Sequence, residues 1–121
     1  MNKKNKKFNT KAIHVGQEPE KLYGAVSLPI YLTSTFKQKD FGEYEYDYSR
    51  AGNPTRTNLE DNIAALEEGK EGIAFSSGMA AISAVIHLLS AGDEIIFTRN
   101  VYGGTYRAME KIYKKFDIKP H

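Results

Sequence analysis

Cysteine is absent from the 121 residues, which excludes disulfides, a thiolate nucleophile and any cysteine-ligated metal site. Histidine is scarce. His14, His87 and His121 show no ligand spacing, so no metal is expected. No apolar run is long enough to span a membrane, and none follows the basic start as a signal peptide would require. The expectation is a cytoplasmic protein with no membrane partner. Arginine is missing from the start, where MNKKNKKFNTK carries five lysines and no acid, a charge of +5. The other 110 residues hold twelve basic and fifteen acidic side chains, a charge of −3. A lysine tail can touch nucleic acid or an acidic membrane. With no nucleic-acid motif beside it, it reads as a solvated, frayed terminus, and no nucleic-acid partner is expected.

What is present fits a folded domain. Hydrophobic residues make up 40% and aromatic residues 12% of the chain, too many for a disordered one. From Phe8 to Arg50 there is little periodicity, and Gly16, Pro19, Gly24, Pro29 and Gly42 punctuate it, so this stretch is expected to be an irregular arm that packs on something larger. After Arg50 the pattern changes. Asn53-Pro54-Thr55 signals a helix start, and the apolar spacing predicts helices over 55–67, 78–90 and 103–116. Gly72-Ile73-Ala74-Phe75 and Glu94-Ile95-Ile96-Phe97-Thr98 read as buried parallel strands near 73–76 and 94–98, and Asp117-Ile118-Lys119 as the opening of a third. Strand and helix in alternation give an α/β fold, a parallel sheet flanked by helices and joined by right-handed crossovers. Two strands and a beginning are too few for such a sheet, so the domain is expected to be truncated.

Three segments carry candidate chemistry. In Tyr46-Asp47-Tyr48-Ser49-Arg50, an extended backbone would project Tyr48 and Arg50 to one side, a phenol beside a forked guanidinium that suits a phosphate or carboxylate. The same pair is also compatible with an exposed strand end. Ser76-Ser77-Gly78-Met79 stands between an expected strand and a helix, where free N–H groups and the helix dipole favour an anion. Ordinary capping would use the same residues. In Val101-Tyr102-Gly103-Gly104-Thr105-Tyr106-Arg107, Tyr102 is either a platform for a flat ring or a surface aromatic. Arg107 either holds a carboxylate or pairs with an acid such as Glu110.

Taken in order, YDYSRAGNPT (46–55), SSGMAAI (76–82) and YGGTYR (102–107) resemble the cysteine and methionine metabolism family of pyridoxal-phosphate enzymes, which includes cystathionine γ-synthase, the cystathionine lyases and methionine γ-lyase. The likeness runs from Thr10-Lys11-Ala12-Ile13-His14-Val15-Gly16 through Pro29-Ile30-Tyr31-Leu32-Thr33-Ser34-Thr35-Phe36 to the end. It implies the first part of the large domain of a fold-type I enzyme, with residues 1–52 an inter-subunit arm and 53–121 the incomplete start of the cofactor-binding domain. It implies pyridoxal 5'-phosphate as cofactor, a small amino-acid substrate and a homo-oligomer, dimer or tetramer. By this resemblance Tyr48 and Arg50 reach the cofactor phosphate of a neighbouring subunit, and Tyr48 also helps activate the substrate amine. Gly78 and Met79 offer backbone amides to the phosphate of their own subunit. Tyr102 stacks on the pyridine ring, and Arg107 approaches a second substrate carboxylate. None of the thirteen lysines stands in the context of the family's cofactor lysine, so the expectation is a portion of an enzyme, inactive by itself. The competing expectation is a non-catalytic fragment that binds phosphate or docks on a full-length relative.

Overall fold

The computed structural model describes residues 7–121, and residues 1–6 of the lysine-rich start lie outside the described residues. The chain gathers into two compact units that divide between Ala74 and Phe75.

The first unit holds two helices, α1 (Phe8–His14) and α2 (Pro54–Leu66). α2 starts where the sequence places it. Pro54 fills the first helical position and the Asn53 Oδ1 accepts the Thr55 N–H at 2.9 Å. α1 corrects the expectation of an arm irregular from Phe8 onward. Seven residues are too few to hold a helix by themselves, and tertiary contacts supply what local propensity does not. The Asn62 side-chain amide on α2 donates to the carbonyls of Lys11, Ala12 and Val15, at 3.2, 3.2 and 2.7 Å. These lie at the C-terminal end of α1, where carbonyls run short of helical partners, although that of Lys11 also accepts the Val15 N–H at 3.0 Å. Val15 is buried just beyond, and Gly16, at φ +71°, turns the chain so closely over the Asn58 carbonyl that a Cβ would collide with it.

Between α1 and α2 the arm is irregular, as expected. Its order comes from isolated antiparallel bridges, Thr35 to Tyr48 and Asp40 to Glu43, and from a row of tilted rings, Tyr31, Phe36 and Tyr46. Many of its apolar side chains face outward, Leu32 at 95% and Phe41 at 101% exposure among them.

The second unit contains α3 (Gly78–Ile86), β1 (Glu94–Ile95), α4 (Gly103–Lys111), a 3₁₀ turn (Tyr113–Phe116) and β2 (Lys119–Pro120). β1 and β2 pair in parallel, Glu94 with Lys119 and Ile95 with Pro120, so the helix between them is the crossover of a βαβ unit. The parallel pairing agrees with the sequence reading, as does the strand opening near Lys119. Two expected helices end early, the strand expected over 94–98 is reduced to Glu94–Ile95, and one expected strand is absent. α3 ends at Ile86 because the next amides tighten to i−3 bonds, Leu88 on Val85 and Leu89 on Ile86, and the Asp93 carboxylate then takes the Ser90 N–H. The helix expected over 103–116 breaks at Ile112, and Asp117, at φ +58°, ends the 3₁₀ turn. The Ile118 N–H returns to the Tyr113 carbonyl at 3.2 Å, and this closure buries both side chains. No strand forms at 73–76. Ile73 is 72% exposed, and the Ala74 N–H goes to the Glu60 carboxylate at 2.8 Å rather than to a ladder partner. An apolar run becomes a strand only beside another strand, and the described residues supply none there.

The core of this unit joins Ile86, Ala108, Met109, Tyr113 and Ile118, with Met79, Ile82, Leu89, Ile95 and Phe97 packed on it. Ile86 and Met109 are each only 2% exposed. Full burial of a side chain of that size contributes about 1.5–3 kcal/mol.

Candidate functional site

The first unit carries Tyr48 and Arg50. Tyr48 lies at the end of a short extended piece, bridged to Thr35, with the Ser49 N–H on the Ser34 carbonyl at 2.9 Å. The chain does not continue extended to residue 50. It turns, with the amides of Ala51 and Gly52 both donating to the Tyr48 carbonyl at 2.9 Å. The pairing of phenol and guanidinium survives this correction, because the turn itself brings them together. The Arg50 guanidinium lies 4.6 Å from the centre of the Tyr48 ring, and its Nη1 donates to the Tyr48 hydroxyl at 3.4 Å. Among the described residues no carboxylate pairs with Arg50. Its charge is therefore free for an anion, while the ring beneath restrains it.

Asn53, expected only as part of a helix start, and Arg56, not singled out in the sequence, hold this turn. Asn53 donates to the Ser49 Oγ at 2.9 Å and to the Tyr31 carbonyl at 3.1 Å. Arg56 donates to the carbonyls of Ser49 at 3.0 Å, Arg50 at 3.4 Å and Ala51 at 2.7 Å. The sequence did contain a signal for Arg56. A cation in the first turn of a helix opposes the helix dipole and is expected only where something else holds it.

The second unit carries Gly78, Met79, Tyr102 and Arg107. α3 opens with Ser77 as cap, its Oγ accepting the Ala80 N–H at 3.1 Å. The N–H groups of Gly78 and Met79 precede the first helical bond and have no partner within the helix. A Cβ built on Gly78 would meet nothing within 4 Å, so the backbone there is open to a ligand. Met79 turns inward, its sulfur 4.0 Å from the hydroxyl of buried Thr105. Tyr102 immediately precedes α4 and is 66% exposed. Gly104 is what lets these residues approach one another. A Cβ there would stand 2.5 Å from the Tyr102 ring and 3.0 Å from the Met79 sulfur. Arg107 folds back toward the start of its own helix, its Nη1 3.6 Å from where a Cβ of Gly103 would sit. Glu110 is not its partner, since that carboxylate pairs with Lys114 at 2.8 Å.

An open helix N-terminus, a bare glycine and an exposed aromatic ring held beside them are chemically suited to a phosphate attached to a flat ring. Residues 9–121 match the sequence model of the Cys/Met metabolism PLP-dependent enzymes. The chain belongs to that family. It is 57% identical over 112 residues to a cystathionine beta-lyase of Lactococcus lactis subsp. cremoris, covering 92% of this chain and 30% of the relative. It is 50% identical over 114 residues to a cystathionine gamma-lyase of Bacillus subtilis, covering 93% and 30%. The crystal structure of metB from Corynebacterium glutamicum superposes with a TM-score of 0.94 at 40% identity, over all of this chain and 32% of that one. The fold is accordingly part of the fold-type I architecture of these enzymes, and pyridoxal phosphate is the family's cofactor. The chain spans about a third of the length of its relatives. Among the described residues, no helix is long and apolar enough to cross a membrane and no cluster of candidate metal ligands occurs.

Proposed function

We propose that the chain is the N-terminal portion of a pyridoxal-phosphate-dependent transsulfuration enzyme. Its reaction is γ-replacement or elimination on cystathionine, O-acylhomoserine or a related sulfur amino acid. When bound, the cofactor supplies an electron sink beside the substrate α-carbon. The residues of this chain bind and orient. The amides of Gly78 and Met79 would hold the phosphate at the positive end of α3, and Tyr102 would stack on the cofactor ring. Arg50, steadied on Tyr48, takes the phosphate of a neighbouring subunit in a homo-oligomer, with residues 1–52 as the arm between subunits. Tyr48 would help activate the incoming substrate amine. Arg107, uncommitted to Glu110, holds a second carboxylate on substrates that have one.

The observation that supports this reading most strongly is the open helix start at Gly78 with Tyr102 and Met79 gathered around Gly104. It is tested with the full-length protein and cofactor, by following turnover of cystathionine and of O-acylhomoserine with a thiol. Turnover of neither substrate, with cofactor bound in stoichiometric amount, would reject the assigned chemistry. The outward-facing apolar side chains of the arm, Leu32 and Phe41 above all, favour a second reading in which this chain docks on a full-length relative without catalysing anything itself. A mixture of the two that stays separate on gel filtration rejects that reading.

A further inference from the structure

We propose that Arg56 is the positioning residue of the anion-binding turn: through three backbone carbonyls it sets where the Tyr48–Arg50 pair presents its charge. The inference rests on the reading of Arg50 as a phosphate ligand.

Arg56 occupies the third position of α2, after Pro54 and Thr55. A carboxylate is favoured there and a cation is not. Its pairing with Glu60 also runs in the weaker order, with the basic residue N-terminal to the acid. Neither local effect explains an arginine at this place, whereas its contacts do. The side chain is one-third exposed, and Nη1 and Nη2 are spent on consecutive carbonyls, Ser49, Arg50 and Ala51. These belong to the turn that carries Arg50. The Glu60 carboxylate, 3.4 Å from Nε, pairs with the guanidinium from its Nε edge, away from the turn carbonyls held by Nη1 and Nη2. Glu60 is itself fixed by the Ala74 N–H. One planar cation thus ties the turn to α2, and α2 to the segment ending at Ala74.

The arrangement has an electrostatic side as well. Backbone carbonyls aimed at an incoming phosphate would repel it, and Arg56 draws those of Ser49, Arg50 and Ala51 to itself. The guanidinium of Arg50 is left facing outward on the Tyr48 ring. A lysine at position 56 donates from one nitrogen without the planar fork and is less able to hold all three carbonyls at once.

The test is a double-mutant cycle in the full-length holoenzyme, read as the dissociation constant of pyridoxal phosphate. Arg56→Met, which keeps the stem and removes the fork, is expected to weaken the cofactor roughly tenfold. Arg56→Lys should recover part of that loss. In an Arg50→Ala background Arg56→Met should cost little more, because the residue acts through Arg50. Thermal unfolding of each variant accompanies the titrations, so that lost stability is separated from lost placement. Losses that multiply fully in the double variant, or an Arg56→Met affinity within twofold of the parent, overturn the proposal while leaving the reading of Arg50 intact. An unchanged affinity in Arg50→Ala alone overturns that reading and the proposal with it.

Discussion

Under the proposed function, Arg50 and Gly104 would contribute to cofactor binding in different ways. Arg50 offers a charge, and its loss should be felt directly. Arg50→Ala in the full-length protein is expected to weaken cofactor binding by about ten- to a hundredfold, the worth of one charge-assisted hydrogen bond. Equilibrium dialysis checks it. If Arg50 serves a neighbouring subunit, hybrids with a variant lacking the cofactor lysine should regain part of the activity. Hybrids that assemble and stay inactive place Arg50 outside the neighbour's site. Gly104 offers only space. In Gly104→Ala the new methyl meets the Tyr102 ring and the Met79 sulfur, and forcing them apart should cost about 1–3 kcal/mol in urea unfolding. The variant should also release the cofactor faster. Unchanged stability and retention would show that the ring moves aside freely.

At the scale of elements, α2 and the loop before it make two predictions. Asn53→Ala removes the cap of α2 and the bonds to Tyr31 and Ser49, and a lost cap alone costs about 0.5–2 kcal/mol. In the arm, the Glu20 carboxylate accepts from the amides of Leu22, Tyr23 and Ala25 at 2.6, 2.5 and 3.3 Å. These bonds, that of Leu22 foremost, hold its pKa below the ordinary glutamate value despite some desolvation. A depressed folded pKa means that the loop is supported above about pH 4.3, the unperturbed value. The support is lost as pH falls through the lower, folded value. Amide shifts of Leu22 and Tyr23 should titrate together below that value, and Glu20→Gln should abolish the step. A midpoint at the ordinary value would mean the loop is open in solution.

What was legible at this scale followed local chemistry. The cap and proline at Asn53-Pro54 announced α2, and the apolar spacing of Met79, Ile82 and Ile86 announced α3. What was hidden depended on residues distant in the chain. α1 exists because Asn62 reaches back to it, and the apolar run at Ile73 stays unpaired because its neighbour is missing from the described residues. The Tyr48–Arg50 pair was readable as a pair, but not the turn that joins it, because that turn is held by Arg56 from the next helix.

For the whole molecule, exposed apolar surface is the dominant property. Leu32 and Phe41 in the first unit, and Leu88 and Ile96 in the second, face solvent almost entirely. Among the described residues β1 and β2 form a two-stranded sheet, which is marginal by itself. The 121-residue chain in isolation is therefore expected to aggregate readily or to bind a relative, and to be catalytically silent. Mixed with pyridoxal phosphate and passed through gel filtration, it should retain no stoichiometric cofactor absorption and turn over neither cystathionine nor O-acylhomoserine. Stable retention with turnover would make one of its thirteen lysines the cofactor's anchor after all.

The grip of Asn62 on α1 also has a consequence in time. Val15 and Asn62 are separated by 47 residues, and a ribosome makes the chain from its N-terminus. At about 5–20 residues per second, α1 waits roughly 2–10 s between its own synthesis and that of the amide that secures it. Through that interval it is a seven-residue segment without a partner, below the length at which a helix persists in water. Nascent chains stalled before residue 62 should give no protease-protected N-terminus, whereas chains stalled well after it should protect the segment around Val15.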